Sequence, residues 1–150
     1  MQVSTGGKHN EKDLTDEQFR EIKEYAISLG MPGNRIYYVG YDLTAYGHYF
    51  DLLRIGTDVL PVSIRVSNPN CNISWKGVVA HEIVGHREAA LKGRTHPNPL
   101  LEEIQASVRA ARFTPDLRQL ERFDLIKDAI YRLRKNGLKL HGIRKSLFYR

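Results

Sequence analysis

Two histidines and a glutamate stand close together in one apolar segment of the chain. His81, Glu82 and His86 belong to the run HEIVGH, within a stretch rich in valine, isoleucine and alanine. Two neutral imidazoles and one carboxylate can hold Zn²⁺ while leaving one coordination position open for water. A neighbouring glutamate can then take a proton from that water. The pattern predicts metal-assisted hydrolysis, with His81 and His86 as ligands and Glu82 as the general base.

The spacing of the two histidines is one residue longer than in the familiar zinc-helix motif. Five residues correspond to about 500° of rotation on a regular α-helix, which leaves the side chains about 140° apart. One extra residue taken up as a π-bulge would return both imidazoles to one side, and Gly85 would make that distortion easier. In the alternative, the helix stays straight, Glu82 and His86 are the ligands, and His81 lies behind them.

A third ligand is expected from the next helix, where Glu102 and Glu103 follow His86 by 16 and 17 positions. Glu103 falls on the apolar stripe of that helix, whereas Glu102 shares its polar side. A buried carboxylate without a partner is costly, and Zn²⁺ would be that partner. We therefore predict Glu103 as the third ligand and Glu102 as a supporting or solvent-facing residue. Ser107, one turn after Glu103, is placed to steady a ligand.

Four further residues are candidates for stabilising the transition state or binding substrate. They are Tyr46, His48, Tyr131 and His141. Hydrolysis at zinc usually needs a hydrogen-bond donor near the developing oxyanion, and tyrosine and histidine can supply one. A peptide substrate would add to an exposed strand edge, for which we predict residues 59–66.

The two motifs together resemble those of a known class of zinc peptidase. HEIVGH followed by EEIQAS is similar to the HExxGH and EExxA pair of the dipeptidyl peptidase III type of metallopeptidase. In that family both histidines and the second glutamate of the later motif bind zinc, and the glutamate after the first histidine is the general base. The resemblance implies the same roles for His81, His86, Glu103 and Glu82 that periodicity indicates.

A second resemblance covers residues 50–135. VVAHEIVGHREAAL followed by LEEIQASVRAARF resembles the compact HExxxH metallopeptidase-like modules at the C-termini of bacterial polymorphic toxins of the Rhs and related kinds. It implies a zincin-like domain that binds Zn²⁺ and hydrolyses a peptide or protein in a target cell. It also implies delivery as part of a larger secreted toxin, with an immunity protein as a candidate partner.

The elements that must position these residues are those of an α+β domain. A capping-box pattern at Thr15 and apolar spacings of three and four predict an N-terminal helix that stops at Gly30. The runs IYYV, YFDLLRI and VSIRV then predict a small mixed sheet of about three strands.

Helices follow the strands: the zinc helix, the glutamate helix, a third long helix and a last short one. They are predicted over residues 75–92, 100–113, 117–135 and 141–147. Thr114 and Pro115 are expected to be the N-cap and first residue of the third.

Length and composition place the chain among ordinary globular domains. It has 150 residues, of which 41% are hydrophobic and 27% charged, which predicts a single domain over 13–150 with 1–12 as a flexible lead-in. The single cysteine excludes a disulfide-stapled scaffold. No apolar run reaches the roughly 18 residues that a membrane-spanning helix needs, and no signal-peptide pattern follows Met1. The expected location is cytoplasmic, either by synthesis there or by delivery into a target cell.

Two alternatives to a peptidase remain, and the net charge of +6 supports the first of them. Residues 112–150 hold 11 Lys and Arg against 4 Asp and Glu. Such a basic stretch could grip phosphates in a nucleic-acid-binding or nuclease module, with the His/Glu cluster structural or holding Mg²⁺. The other alternative is a metal-stapled interaction protein without catalysis. The array of imidazoles and carboxylates suits zinc better than magnesium.

Overall fold

The computed structural model of this protein describes residues 12–40, 43–60 and 72–138. The lead-in predicted over 1–12 therefore lies almost wholly outside the described residues, and so does the short helix predicted over 141–147. Within the described ranges the chain forms helices and a small three-stranded mixed sheet, so the α+β class is confirmed.

The first helix, α1 (Asp16–Ser28), begins where the capping signal predicts. The Thr15 side chain accepts from the Gln18 N–H, and the Gln18 side chain accepts from the Thr15 N–H. The helix buries Ile22 and Ala26 in the core.

The sheet contains β1 (Ile36–Tyr38), β2 (Ala45–Gly47) and β3 (Leu52–Ile55) in the order β1-β3-β2. β1 pairs with β3 in parallel and β2 pairs with β3 in antiparallel fashion. β1 and β3 lie in the predicted runs IYYV and YFDLLRI, so those two strands are confirmed, whereas β2 was not predicted. β2 has only three residues, which is too few to show an alternating pattern in the sequence. The first residues of the YFDLLRI run form a turn before β3.

The strand predicted at VSIRV lies outside the described residues. So does most of the substrate edge predicted over 59–66. At the described start of that segment, Val59 ends a 3₁₀ turn, Thr57–Val59. β1 and β2 are both edge strands of the described sheet, and β2 is the one whose Tyr46 N–H bonds to Glu82.

The central helix carries the HEIVGH run and has three consecutive segments. They are α2 (Trp75–Ala80), a π-helical segment (His81–Arg87) and α3 (Glu88–Leu91). The Ser74 side chain caps the start by accepting from the Gly77 N–H at 3.1 Å, as predicted.

Two long helices follow, α4 (Pro99–Phe113) and α5 (Gln119–Lys135). The prediction that Thr114 and Pro115 begin α5 is wrong. Asp116 adopts a positive φ of 63°, which interrupts helical geometry, and the N-cap residue is Arg118. The Glu121 side chain accepts from the Arg118 N–H at 3.0 Å, and so satisfies a donor at this helix start.

The core lies between the central helix, α1, the sheet and the last two helices. Its largest fully buried aliphatic side chains include Leu53, Ile55, Val78, Val79, Ile83, Ile104, Leu125 and Leu133. α4 packs against both α5 and the π-helical segment, so it brings its glutamates beside the two histidines. No helix in the described parts of the chain has the length and apolar character needed to cross a membrane.

Candidate metal centre

The π-helical segment places both histidines on the same side of the central helix. The N–H of Glu88 bonds to the carbonyl of Ile83, five residues earlier, which is the signature of the wider turn. The ring centroids of His81 and His86 lie 4.7 Å apart at an interplanar angle of 79°. The predicted π distortion is confirmed, and the straight-helix alternative is wrong because a regular helix would separate the rings.

Gly85, which lies inside the π-helical segment, also has a role that the sequence did not indicate. Its φ is not positive, so the backbone geometry does not itself require glycine. A Cβ at this position would lie 2.5 Å from the carbonyl oxygen of Ala106 and 2.9 Å from its Cα. The missing side chain therefore lets α4 approach the π-helical segment closely, and this approach brings Glu102 and Glu103 within reach of the histidines.

His81 is fully buried and is held through its Nδ1 atom. That nitrogen lies 2.9 Å from Ser107 Oγ, the contact that the sequence predicted for Ser107. Ser107 Oγ in turn donates to Asp128 Oδ2 at 2.8 Å, and Arg132 Nε donates to the same oxygen at 3.0 Å. The orientation of the His81 ring is thus set from α4 and α5.

His86 is held through its Nδ1 atom by Glu102, whose Oε2 lies 2.9 Å away. Glu102 also accepts from Arg109 Nη1 and from the His96 N–H. Its side chain is only 13% exposed, so Glu102 supports His86 and does not face solvent.

The polar side of α4 is buried, in contrast to the expectation from periodicity. Arg109 is 8% exposed, and it donates to the carbonyl of Gly85 and to the side chain of Gln105. The hydrogen bond to Gly85 ties α4 to the π-helical segment. Burial of this face is possible because each polar group finds a partner.

The Nε2 atoms of both histidines converge on one carboxylate oxygen. Glu103 Oε2 lies 2.9 Å from His86 Nε2 and 3.4 Å from His81 Nε2. Glu103 belongs to the apolar stripe of α4, yet its side chain is 20% exposed and therefore accessible to solvent. Two ligands of a tetrahedral zinc ion stand about 3.3 Å apart, given metal–ligand bonds of about 2.0–2.1 Å. The two separations from Glu103 Oε2, 2.9 and 3.4 Å, lie close to that value.

The ionisation of the cluster follows from burial and hydrogen bonding. Desolvation by burial lowers the pKa of His81, which favours the neutral ring that a metal requires. Burial alone would also lower the pKa of His86, but its hydrogen bonds to Glu102 and Glu103 outweigh that effect and raise it to about 10. Burial opposes the charge of Glu103, yet hydrogen bonds from the two histidines outweigh it and hold the pKa well below its usual range.

Glu82 is the other carboxylate within reach of the histidines. Donor atoms of His81, Glu82 and His86 lie within 4.8 Å of one another, so these three residues form a group that could hold a metal ion. Glu82 is 4% exposed, and burial raises its pKa to about 8. Its Oε2 accepts from the backbone N–H of Tyr46 on β2 at 3.2 Å.

The Tyr46 side chain makes a separate set of contacts, with Asp51 and through it with Arg87. Its hydroxyl donates to Asp51 Oδ1 at 2.6 Å, and Arg87 donates to both oxygens of Asp51 at 2.8 and 3.2 Å. Burial and the hydrogen bond to Asp51 raise the pKa of Tyr46 to about 12. Asp51 and Arg87 thereby fasten the β2–β3 turn to the end of the π-helical segment.

The other predicted substrate residues are not brought to the cluster by any hydrogen bond among the described residues. His48 is exposed in the turn after β2, and Tyr131 is half-buried on α5. His141 lies outside the described residues.

Sequence reasoning missed Asp51, Arg87, Asp128 and Arg132. A signal was present for two of them, because Asp128 and Arg132 stand one turn apart on the apolar stripe of α5. Nothing local marks Asp51 or Arg87, whose contact joins residues 36 positions apart.

Comparisons with known proteins identify no relative of this chain. Neither a family model, nor a curated protein, nor a solved structure matches the chain.

Proposed function

We propose that this protein is a zinc-dependent hydrolase of the metallopeptidase type. His81, His86 and Glu103 would hold the metal, and Glu82 would act as the general base. One observation carries the proposal: both histidines are anchored at Nδ1, His81 by the buried Ser107 and His86 by the mostly buried Glu102, and both direct Nε2 toward the same oxygen of Glu103. Anchoring of the second ring nitrogen is the usual arrangement of metal-binding histidines.

The choice between Glu82 and Glu103 as third ligand rests on their contacts. Glu103 Oε2 contacts both Nε2 atoms, whereas Glu82 Oε2 accepts from the N–H of Tyr46. Glu103 is also partly open to solvent, as a residue beside a substrate cleft must be. We therefore assign the ligand role to Glu103 and keep Glu82 beside the reacting water.

A bound Zn²⁺ would polarise a substrate carbonyl and make a water molecule acidic enough to act as nucleophile near neutral pH. Glu82 would accept the proton from that water and pass it to the leaving amine. In the metal-free protein burial raises the pKa of Glu82 to about 8, and a bound Zn²⁺ nearby would favour the ionised carboxylate, which is the form that accepts the proton. The Tyr46 N–H would hold one Glu82 oxygen so that the other faces the site.

The substrate class rests on the resemblance to peptidase motifs and toxin modules. It leads us to propose a peptide or protein substrate, action inside a target cell after delivery with a larger toxin, and an immunity protein as the natural inhibitor. The proposal of a zincin-like fold has the same basis.

The nucleic-acid alternative receives less support from the contacts of the basic helices. Arg122 donates to the carbonyls of Leu117 and Ala111, and Arg132 is buried against Asp128. The charges of Arg122 and Arg132 are engaged in this way and contribute less to phosphate binding, whereas Arg118, which pairs with Glu121, stays 79% exposed.

Metal analysis together with a single substitution tests the proposal. Protein purified without added metal should contain one zinc per chain by elemental analysis. Glu82→Gln should keep the fold and the zinc but lose hydrolysis of cellular proteins by about 100-fold or more, because the base is gone. Fragments would be measured by proteomics after expression of each form.

Glu88→Gln is the matched control, since Glu88 lies on the same helix beyond the π-helical segment. It should behave as the unsubstituted protein. Absence of zinc would contradict the metal site, and zinc with unchanged hydrolysis in Glu82→Gln would contradict the role of Glu82.

A further inference from the structure

A buried chain of hydrogen bonds runs from His81 through α4 to α5. It passes from His81 Nδ1 to Ser107 Oγ, then to Asp128 Oδ2, which also accepts from Arg132 Nε. The first three residues are wholly buried, and Arg132 is 4% exposed. The desolvation of a buried ion pair offsets most of its attraction, so a pair at this depth contributes little stability by itself.

The chemistry of each member sets the direction of the hydrogen bonds. The Asp128 carboxylate, paired with a guanidinium, has no hydrogen and can only accept. Ser107 has one hydroxyl hydrogen and gives it to Asp128, so a lone pair remains to accept from His81 Nδ1. A fully buried, uncharged His81 then carries its single ring hydrogen on Nδ1 and presents a bare lone pair at Nε2.

Glu103 favours the opposite tautomer of His81. Its Oε2 lies 3.4 Å from His81 Nε2 and would accept a hydrogen placed there. That tautomer could not bind a metal through Nε2, because a ligand nitrogen must offer its lone pair. The ring hydrogen is therefore subject to two opposing acceptors, Ser107 on one side and Glu103 on the other.

We propose that Asp128, held by Arg132, is a positioning residue that acts through Ser107 to keep the Nε2 lone pair of His81 available for a metal. This inference rests on the proposed metal site and adds two residues of α5 to it. Asp128 does not touch the metal or substrate; it determines which nitrogen of His81 is free.

Replacing the ion pair by apolar residues of similar size tests the proposal. Asp128→Leu with Arg132→Met removes the acceptor and its buried counter-charge together, and such exchanges are often neutral or stabilising. In the metal-free variant, nitrogen-15 NMR of the histidine rings should show that the His81 hydrogen has moved to Nε2. The zinc dissociation constant, measured by chelator competition, should rise by about 10- to 100-fold.

Two further variants separate the acceptor from its charge and from general packing. Asp128→Asn retains a side-chain oxygen that can accept from both Ser107 and Arg132, so it should keep the hydrogen on Nδ1 and most of the zinc affinity. Thr114→Val removes a buried hydroxyl near the end of α4 that has no hydrogen-bond partner among the described residues, and it should change neither readout.

An unchanged His81 tautomer and unchanged zinc affinity in the folded double variant would overturn the proposal. If that variant does not fold, Ser107→Ala decides on the same two measurements, because it breaks the chain and leaves the ion pair intact. Failure of the unsubstituted protein to bind zinc would reject the proposed function. The tautomer measurement in the metal-free protein would still test the positioning role.

Discussion

His86 is in contact with a carboxylate at each ring nitrogen. Glu102 lies at Nδ1 and Glu103 at Nε2, both at 2.9 Å. The hydrogen bonds outweigh the effect of burial and raise the pKa of His86 to about 10, so the metal-free ring carries a proton at neutral pH. Since the metal needs the Nε2 lone pair, proton and zinc compete for the same atom.

Zinc uptake should therefore release protons. At pH 7 to 8 the proton on His86 must leave before the nitrogen can bind, so zinc affinity should rise with pH up to about 10. Calorimetry in buffers with different ionisation enthalpies measures the number of protons released, which we expect to be about one or more. An apparent enthalpy that is the same in every buffer would contradict this prediction.

The two adjacent glutamates of α4 should differ in their effect on zinc affinity. Glu102→Gln removes the charge behind His86 and should weaken zinc binding by about 10- to 100-fold. Glu103→Gln removes a proposed ligand and should weaken it by more than that. Each of the two variants is a control for the other, because Glu102 and Glu103 are adjacent residues whose side chains have similar exposure. Equal losses, or a larger loss in Glu102→Gln, would argue against Glu103 as a ligand.

At the scale of elements, the site depends on how closely α4 approaches the central helix. The π-helical turn aligns the histidines, but the glutamates reach them only because Gly85 leaves room for the backbone at Ala106. Close backbone approach leaves no flexible side-chain atom that could move aside. A larger residue at position 85 must therefore separate the two helices.

Gly85→Ala should destabilise the fold by about 1–3 kcal/mol and also weaken zinc binding, since Glu103 would move with α4. Urea unfolding and chelator competition measure the two effects. Gly77→Ala is the control: its Cβ would lie 2.7 Å from the side chain of Ile73, a residue just before the helix whose side chain can adjust. That control should leave zinc affinity unchanged. A Gly85→Ala protein with normal zinc affinity would show that the close contact does not position Glu103.

At the scale of the molecule, a metal would join elements that are distant in sequence. The two histidines lie on the central helix and Glu103 lies on α4, while β2 and α5 hold Glu82 and His81 in place. A ligand that binds only the folded state stabilises it by RT ln(1 + [L]/Kd). The metal would therefore contribute to global stability as well as to chemistry.

Zinc at about 100 times its dissociation constant should stabilise the fold by about 2.7 kcal/mol. The melting temperature should rise accordingly and fall again when a chelator removes the metal. Thermal unfolding followed by circular dichroism measures this shift. At the same zinc concentration, Glu103→Gln should show a smaller rise. A melting temperature that changes neither with zinc nor with chelator would contradict a metal bridge between the helices.

Features of the fold that depend on residues close together in the sequence could be predicted, whereas those that depend on distant residues could not. The caps at Thr15 and Ser74 and the helix ends are local, so their patterns predicted α1 and the central helix. β2 has three residues and forms because it pairs with β3, and no local pattern in the sequence indicates that pairing. The start of α5 was misplaced because the positive φ of Asp116, and not the Thr-Pro signal, decides where the helix can begin.

The sequence alone predicted the π-helical turn, because two histidines five residues apart face the same side only in that geometry, and it led us to propose Glu103 rather than Glu102 as a ligand. Both conclusions depend on helix periodicity, which is a property of neighbouring residues. The folded structure added contacts that no local pattern indicates, among them the contact of Asp128 with Ser107 and that of the Tyr46 N–H with Glu82. Asp128 and the Tyr46 N–H come from elements 21 and 36 positions away from their partners in the chain, and their contacts exist only once the core has packed.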